Sequence, residues 1–407
     1  MKKKETIQLV SLGCAKNAAD LEVTAGNLLR KGCTFSPDPD CADTVIVNTC
    51  SFIADAREES EAEIVRALEL KRRGRYGKVI VSGCYPQRYP KARSKFPGVD
   101  EWLGVPKEWI EPKMPAFRLT GKAYAYLKIA EGCRHRCAYC AIPSIRGKYR
   151  SRPYRSIMRE ARALIESGCR ELNIIAQDPM LWSDGKRSLA DLLWALDRIP
   201  GRFWIRVLYS YPSEITEEFL DWMVNSAHAA KYMDVPLQHT DREMLRLMNR
   251  GRAADASLVA AAALRELVPG ITLRTTVMTG FPGETPARFN RMLADLRRMQ
   301  FDHLGAFAYS PEKGTRAYSM RPRPSRRTAE ERERLVMSQQ AEIWALKASR
   351  MVGSVHEALV VAPGVARMES QAPDVDGVVY VDDDRVGEFV NVRLERADGF
   401  DFEGAAV

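Results

Sequence analysis

The sequence predicts an α/β protein in several parts, and three observations carry that reading. Short apolar, β-prone runs alternate with helical patterns through most of the chain, which argues for parallel sheets. A length of 407 residues holds two or three domains of ordinary size. The last stretch abandons the alternation for short strands separated by Gly, Pro and Asp.

The first 115 or so residues read as a separate domain. "TIQLVSL" (6–12) leads into a helix predicted over Ala18–Lys31, "DTVIVNT" (43–49) into one over Ile53–Arg73, and "KVIVSG" (78–83) into a short irregular stretch. Such continuous apolar runs suit buried parallel strands. Each leads into a cysteine within two residues: Cys14, Cys50 and Cys84. In parallel β/α folds the carboxyl ends of the strands share one edge, so these three thiols can converge there. Singly, each is more often a small buried hydrophobe. Cys33, Cys41 and Cys169 share no such register and read as structural or incidental.

The next domain opens with "AYAYLKIAEG" (123–132), which alternates as a strand does. Further strands are predicted at 171–177, 203–209, 231–237, 271–279 and 302–309. Helices are predicted over Tyr154–Glu166, Leu189–Arg198, Glu214–Asn225, Ala254–Val268 and Thr285–Met299. Six β/α repeats result, too few for the eight-stranded barrel. A basic linker, "MRPRPSRRTAEERERL" (320–335), has capping-box spacing at Thr328 and Glu331 and leads into a helix to about Arg350. "VHEALVVA", "DGVVYVDD" and "FVNVRLERA" then read as strands of a small closed barrel.

Composition narrows the chemistry. No run approaches the roughly eighteen apolar residues of a membrane span. The opening "MKKKETIQLVSLGC" has too short an apolar stretch for an export signal, and Asp20 and Glu22 follow it. A cytoplasmic protein is expected, with its nine cysteines reduced, so those that cluster are metal ligands or catalytic thiols rather than disulfides.

The central motif is "EGCRHRCAYCAIPSIRG" (131–147), with Cys133, Cys137 and Cys140. Three thiolates are too few for a closed structural zinc site, and His135 has the wrong spacing to complete one. A 4Fe-4S cluster held by three cysteines instead leaves one iron open. The Cys133, Cys137, Cys140 spacing, with Tyr139 just before the last cysteine, resembles the signature of radical S-adenosylmethionine (SAM) enzymes. The resemblance implies a partial (β/α)6 barrel, SAM on the open iron, and Tyr139 near its adenine; the plainer reading of Tyr139 is a loop aromatic packed on the core.

With a second set at Cys14, Cys50 and Cys84, the whole chain resembles the methylthiotransferases. "SLGCAKN", "VNTCSFI" and the cluster loop carry the resemblance most specifically. It implies two 4Fe-4S clusters, a low-potential electron donor such as flavodoxin or ferredoxin, and three domains: an N-terminal cluster domain (1–115), a radical SAM domain with its linker helix (119–350), and a TRAM β-barrel (351–407).

Two subfamilies compete, one modifying adenosines of tRNA and the other an aspartate of ribosomal protein S12. Residues 351–407 hold four arginines against twelve Asp and Glu, a net −8, whereas residues 1–350 carry +17. An RNA-binding module needs a positive surface; an acidic one suits a basic protein, or is merely a solvated turn at "VDDDR". "CAIPSIRGKYRSR", "AQD" and "PLQH" resemble the ribosomal-protein subfamily, although Pro179 and Met180 replace two small hydroxyl residues expected after "AQD". The expected reaction is therefore methylthiolation of the β-carbon of an S12 aspartate, on free S12 or within the small ribosomal subunit. tRNA is the alternative substrate, and a non-catalytic iron-sulfur carrier the alternative class.

Four further residues are candidates for binding SAM or substrate. Gln177 and Asp178 follow a barrel strand, and either contact a ligand or cap the next turn. Arg206 and Arg274 lie within strands, where a cation needs a partner: a carboxylate of SAM or substrate, or an internal ion pair. Glu284 in "GFPGE" suits a helix N-terminus, and His239 has no assigned role.

Overall fold

The computed structural model describes residues 4–112, 117–250 and 263–407. The predicted boundary near residue 115 and most of the helix predicted from Ala254 lie outside them.

The N-terminal sheet is five-stranded and parallel, in the order β2-β1-β3-β4-β5. Its strands are β1 (Thr6–Ser11), β2 (Thr34–Phe35), β3 (Thr44–Thr49), β4 (Lys78–Gly83) and β5 (Glu101–Trp102). The two-residue edge strands β2 and β5 were not predicted, being too short to show a period. Every residue of the central β3 is buried. Helix Ala54–Arg72 lays Ile64 and Ala67 against Val45, Val47, Val79 and Val81.

The second sheet joins β6 (Tyr124–Lys128), β9 (Glu171–Ile175), β10 (Trp204–Val207), β11 (Ala229–Asp234), β12 (Thr272–Thr279) and β13 (His303–Ala308). All are parallel, and β6 does not meet β13, so the barrel is partial and open. The strand predicted over 123–132 breaks at Ile129: its end, β7 (Ala130–Glu131), pairs instead with β8 (Arg150–Ser151) across the base of the cysteine loop. Along the barrel strands the side chains alternate. Leu127, Ile174, Ile205, Met233, Leu273 and Leu304 pack outward with helix residues such as Leu164, Leu193, Trp222 and Phe289. The intervening Tyr126, Asn173, Arg206, Tyr232, Arg274 and His303 face the lumen, which is therefore polar.

The C-terminal barrel is closed in the order β14-β15-β16-β18-β17: β14 (Val355–Ala362), β15 (Val365–Met368), β16 (Val379–Val381), β17 (Phe389–Asp398) and β18 (Asp401–Ala406). Of these, β15 and β18 had not been predicted. The linker helix, Arg326–Met351, starts a turn earlier than the capping box at Thr328 implied: Ser325 is the N-cap, its Oγ accepting from the Thr328 N–H at 3.1 Å. Near its end Trp344 enters the small barrel's core beside Val392, Leu394 and Phe402.

The connection between β15 and β16 leaves its own barrel and plugs the larger one. The Arg206 guanidinium donates to Glu369 O at 2.7 Å, and the hydroxyls of Tyr126 and Tyr232 donate to Asp374 at 2.6 Å and Asp376 at 2.7 Å. Gln371 and Ala372 are fully buried. Beneath them Glu171 takes Arg206 Nε at 2.8 Å on one oxygen and Arg367 on the other. Burial alone would raise the Glu171 pKa, but Arg367 and Arg206 hold it below the ordinary carboxylate value.

Glu171→Ala would leave two buried guanidinium groups without their shared carboxylate and is expected to cost about 3–5 kcal/mol, read by urea unfolding. A loss no larger than that of an exposed ion pair such as Arg297–Glu342 would refute this weight. Glu22, whose Oε1 accepts the Leu119 N–H at 2.7 Å, is pushed by burial up to about 7. The folded chain thus holds its proton above the pH at which the unfolded chain releases it. Stability is fully present below about pH 4.5 and falls as pH rises towards 7. Glu22→Gln should match the wild type below about pH 4 and exceed it by about 3 kcal/mol at pH 8; parallel pH profiles would contradict this.

Candidate functional site

The three N-terminal cysteines stand where strands give way to helices. Cys14 is the N-cap of helix Ala15–Arg30, Cys84 opens helix Cys84–Arg88, and Cys50 follows β3 with its N–H on Ser60 Oγ at 3.0 Å. Helix N-termini favour thiolates. Two asparagines lock the loops together: Asn17 Nδ2 donates to Leu12 O at 2.6 Å and Thr49 O at 3.2 Å, while Asn48 Nδ2 donates to Asn17 O at 2.8 Å. Gly13, at φ +91°, packs so tightly that a Cβ would lie 2.9 Å from that of Cys50. Burial pushes the Cys84 thiol up to about 12; Arg146 opposes this, and Cys14 and Cys50 are near enough to add to it.

The second set lies on the loop between β7 and β8. Gly132, at φ +81°, lets the chain pass so close to Lys148 O that a Cβ there would sit 2.3 Å away. The loop is tied down by Ala138 N to Met248 O at 2.9 Å and Ala317 N to Ala138 O at 2.8 Å. Burial raises Cys133 to about 11 and Cys140 to about 12. Arg250, packed 4.2 Å over the Tyr211 ring, brings Nη1 to 3.7 Å from Cys137 Sγ. Buried thiols with such high pKa values become thiolates when a metal supplies the compensating charge.

Arg146, just after the radical loop, joins the two sets. Its Nη2 lies 3.1 Å from Cys84 Sγ and 3.3 Å from Asn17 Oδ1, and its Nη1 meets Glu131 at 3.1 Å and Asp20. Lys128 Nζ completes the network on Asp20, at 2.6 Å, and Glu131. Burial disfavours the Arg146 charge, but Asp20, Cys84 and Glu131 more than restore it. Among the described residues no three His, Cys, Asp or Glu side chains stand close enough to hold one metal ion together. Six thiols in two sets of three fit iron-sulfur clusters, which take one thiolate per iron and spread their ligands more widely.

The other predicted residues divide. Tyr139 is half-buried beside Cys137, with its ring edge-on to Phe281 at 6.4 Å. Gln177 Nε2 donates to Glu131 at 2.7 Å, leaving its buried Oε1 without a partner among the described residues. Asp178 takes the capping alternative: one oxygen accepts from Met180 N at 3.1 Å and the other meets His135 Nε2 at 2.6 Å. Pro179, unexpected in sequence, is the first residue of the 3-10 turn this cap begins. Arg206 and Arg274 take the internal alternative. Arg206 holds Glu171, and Arg274 lies 3.5 Å from Asp234 and 3.3 Å from Asp376. Both also reach the plug, Arg206 at Glu369 O and Arg274 at Asp376. Glu284 is not a helix cap, because Thr285 caps helix Pro286–Met299; Glu284 accepts from Gly280 N at 2.7 Å and pairs with Arg332. His239 accepts from Asp241 N at 2.9 Å through Nδ1.

Sequence reasoning missed Asn17, Asp20, Lys128, Glu131, Arg146 and Arg250 as parts of the site. Asn17 and Arg146 lay inside quoted motifs, and Lys128 and Glu131 are charges in or next to a strand otherwise apolar, which was the available signal.

Comparisons with known proteins extend over the whole chain. Residues 127–296 match the radical SAM superfamily, residues 6–104 the uncharacterized protein family UPF0004, and residues 352–407 the TRAM domain. Relatives from Syntrophus aciditrophicus and Geobacter sulfurreducens are each 39% identical, covering 98% and 99% of this chain and the same shares of their own. One from Solibacter usitatus is 37% identical over 98% of this chain and 94% of its own. All three bear the name ribosomal protein uS12 methylthiotransferase RimO. Among solved structures, the radical SAM methyltransferase TsrM from Kitasatospora setae aligns with TM-score 0.53 at 16% identity, over 78% of this chain and 74% of that one, a likeness of fold.

Arg146→Met would leave Asp20 and Glu131 with Lys128 alone. The expected cost is about 3–5 kcal/mol in urea unfolding, together with lower iron uptake than the wild type after reconstitution. Arg146→Lys should recover part of both. Unchanged stability and iron content in the methionine variant would show the network to be dispensable.

Proposed function

The chain belongs to the RimO-type radical SAM methylthiotransferases, and we propose from that premise that it methylthiolates the β-carbon of an aspartate in ribosomal protein S12. One observation supports this reading above the others: of two three-cysteine sets, one at strand ends and one on the barrel loop, the first is tied through Cys84 and Arg146 to Glu131, two residues before Cys133. Cys133, Cys137 and Cys140 would hold one 4Fe-4S cluster and Cys14, Cys50 and Cys84 the other. When bound, these groups supply the electron that makes a radical from SAM and the sulfur that is transferred.

The chain's own residues do the rest. Tyr139 and the free Oε1 of Gln177 line the radical side, where they would contact SAM. Arg250 balances the charge of Cys137 and closes that side with Tyr211. Arg206, Arg274 and Asp178 support the site by fixing the lumen and the loop that follows it.

The same proposal covers the division into residues 1–115, 119–350 and 351–407, and a low-potential flavodoxin- or ferredoxin-like donor. The acidic TRAM domain would receive the basic S12. Three of its carboxylates, Glu369, Asp374 and Asp376, already serve the plug, which leaves Asp382, Asp384, Glu388 and Glu395 exposed for a partner. Among the described residues no helix is long and apolar enough to cross a membrane. A cytoplasmic setting, which keeps thiols reduced, accords with the chemistry.

tRNA as substrate draws on one feature, a cleft of about 890 Å³ lined by Arg57, Arg88, Lys91, Lys95, Arg321 and Arg323. Arg57 and Arg88 there share Glu312, at 3.0 and 2.9 Å, which offsets one of their two charges and weakens the cleft as a phosphate track.

The test is anaerobic reconstitution with iron, sulfide, SAM and a low-potential reductant, offering S12 and bulk tRNA in parallel with mass spectrometry on both. Methylthio addition to an S12 aspartate is expected, abolished in Cys14→Ala and Cys133→Ala. Modification of tRNA alone would transfer the chemistry to the other substrate, and SAM left intact on reduction would favour an electron carrier.

A further inference from the structure

The junction between the N-terminal domain and the barrel carries a lysine on which Asp234 and Glu131 act only from beyond ion-pair distance. Lys16 lies in the first turn of helix Ala15–Arg30, two residues beyond Cys14. Its Nζ stands 3.1 Å from the centroid of the Tyr209 ring, and among the described residues it has neither an ion pair nor a hydrogen bond. The other basic residues nearby are committed. Lys128 and Arg146 share Asp20 and Glu131. Arg250 belongs to the radical side, beside Cys137 and hydrogen-bonded to Pro236 O at 2.7 Å.

The platform under Lys16 is itself unusual. Tyr209 follows β10 with φ +70°, a left-handed conformation that a bulky side chain rarely adopts and that surrounding structure must enforce. An aromatic face holds an ammonium group without occupying its hydrogen-bond donors, so the donors of Lys16 are left for a ligand. The residue as a whole is half-buried.

We propose that Lys16 is the residue that grips the carboxylate of the target aspartate. The inference rests on the function proposed above and adds the residue that selects the side chain. The carbon to be modified is bonded directly to the carboxyl carbon, so a salt bridge to Lys16 fixes the reacting carbon beside Cys14, on the sulfur-bearing side of the junction. An amide in place of the carboxylate offers no charge to this ammonium, and the same contact therefore discriminates Asp from Asn.

The experiment uses the reconstituted full-length protein with intact S12 and with S12 whose target aspartate is replaced by asparagine. Fluorescence anisotropy reads binding, and mass spectrometry reads transfer. The wild type is expected to bind the aspartate form at least about tenfold more tightly, the order expected of a charge-assisted contact. Lys16→Met should erase that preference and raise KM for S12, while Lys16→Arg should keep part of it. An Asp-over-Asn preference that survives in Lys16→Met overturns the proposal. If Lys16→Met takes up less iron than the wild type, Lys16→Arg decides: a retained preference supports Lys16, and a lost one with normal iron content refutes the charge contact. A wild type that modifies no S12 aspartate overturns the assigned substrate, whereas a wild type and Lys16→Met that modify it equally overturn the role of Lys16 alone.

Discussion

Lys128 and Arg146 share Asp20 and Glu131 in a network almost closed to solvent, and this balanced set of four charges ties together three segments that bear on the chemistry. Asp20 comes from the helix that Cys14 begins, Lys128 and Glu131 from the strands before the radical loop, and Arg146 from the turn after it. Burying any one of these charges alone would be prohibitive, and burying all four together is tolerable because each is paired. The consequence is geometric. The N-terminal domain cannot rotate against the barrel without separating opposite charges in a low-dielectric interior, so the two cysteine sets keep a fixed relation.

At the opposite end a second charge system does comparable work with a different composition. Glu171 sits between Arg206 and Arg367, and the surplus positive charge is spread over the faces of Tyr232 and Tyr124 at 4.6 and 4.9 Å. A partial barrel with a polar lumen must satisfy inward-facing groups that a closed apolar barrel would not have. The loop from the C-terminal barrel supplies carboxylates and carbonyls to Arg206, Tyr126, Tyr232, Arg274 and His303, so a domain that read as a recognition module also forms part of the barrel's interior.

How much of this was legible follows from the range of the interactions involved. β4 and helix Tyr154–Glu166 were readable to the residue because an apolar run or an amphipathic period is a local property. The placement of the six cysteines, three at strand ends and three on one loop, was readable because spacing and strand register are local too. The edge strands β2 and β5 are two residues long and leave no pattern. Asp20 and Arg146 are 126 residues apart, and Arg206 and Glu369 163 apart. Sequence could say that a cation inside a strand needs a partner, but nothing local could say which. Of the two partners the sequence allowed Arg206 and Arg274, a ligand carboxylate or an internal ion pair, the structure shows the internal one.

The plug also has a consequence in time. Residues 369–376 follow the last barrel strand by some sixty positions in the chain, and a chain is made from its N-terminus at roughly 5–20 residues per second. For those seconds the barrel strands exist while Glu171, Arg206 and Arg274 lack the groups that complete their pairing. The cysteine loop is therefore made well before the plug. The pairing of the barrel's base is long-range in the chain and can be completed only once the C-terminal domain has been synthesised.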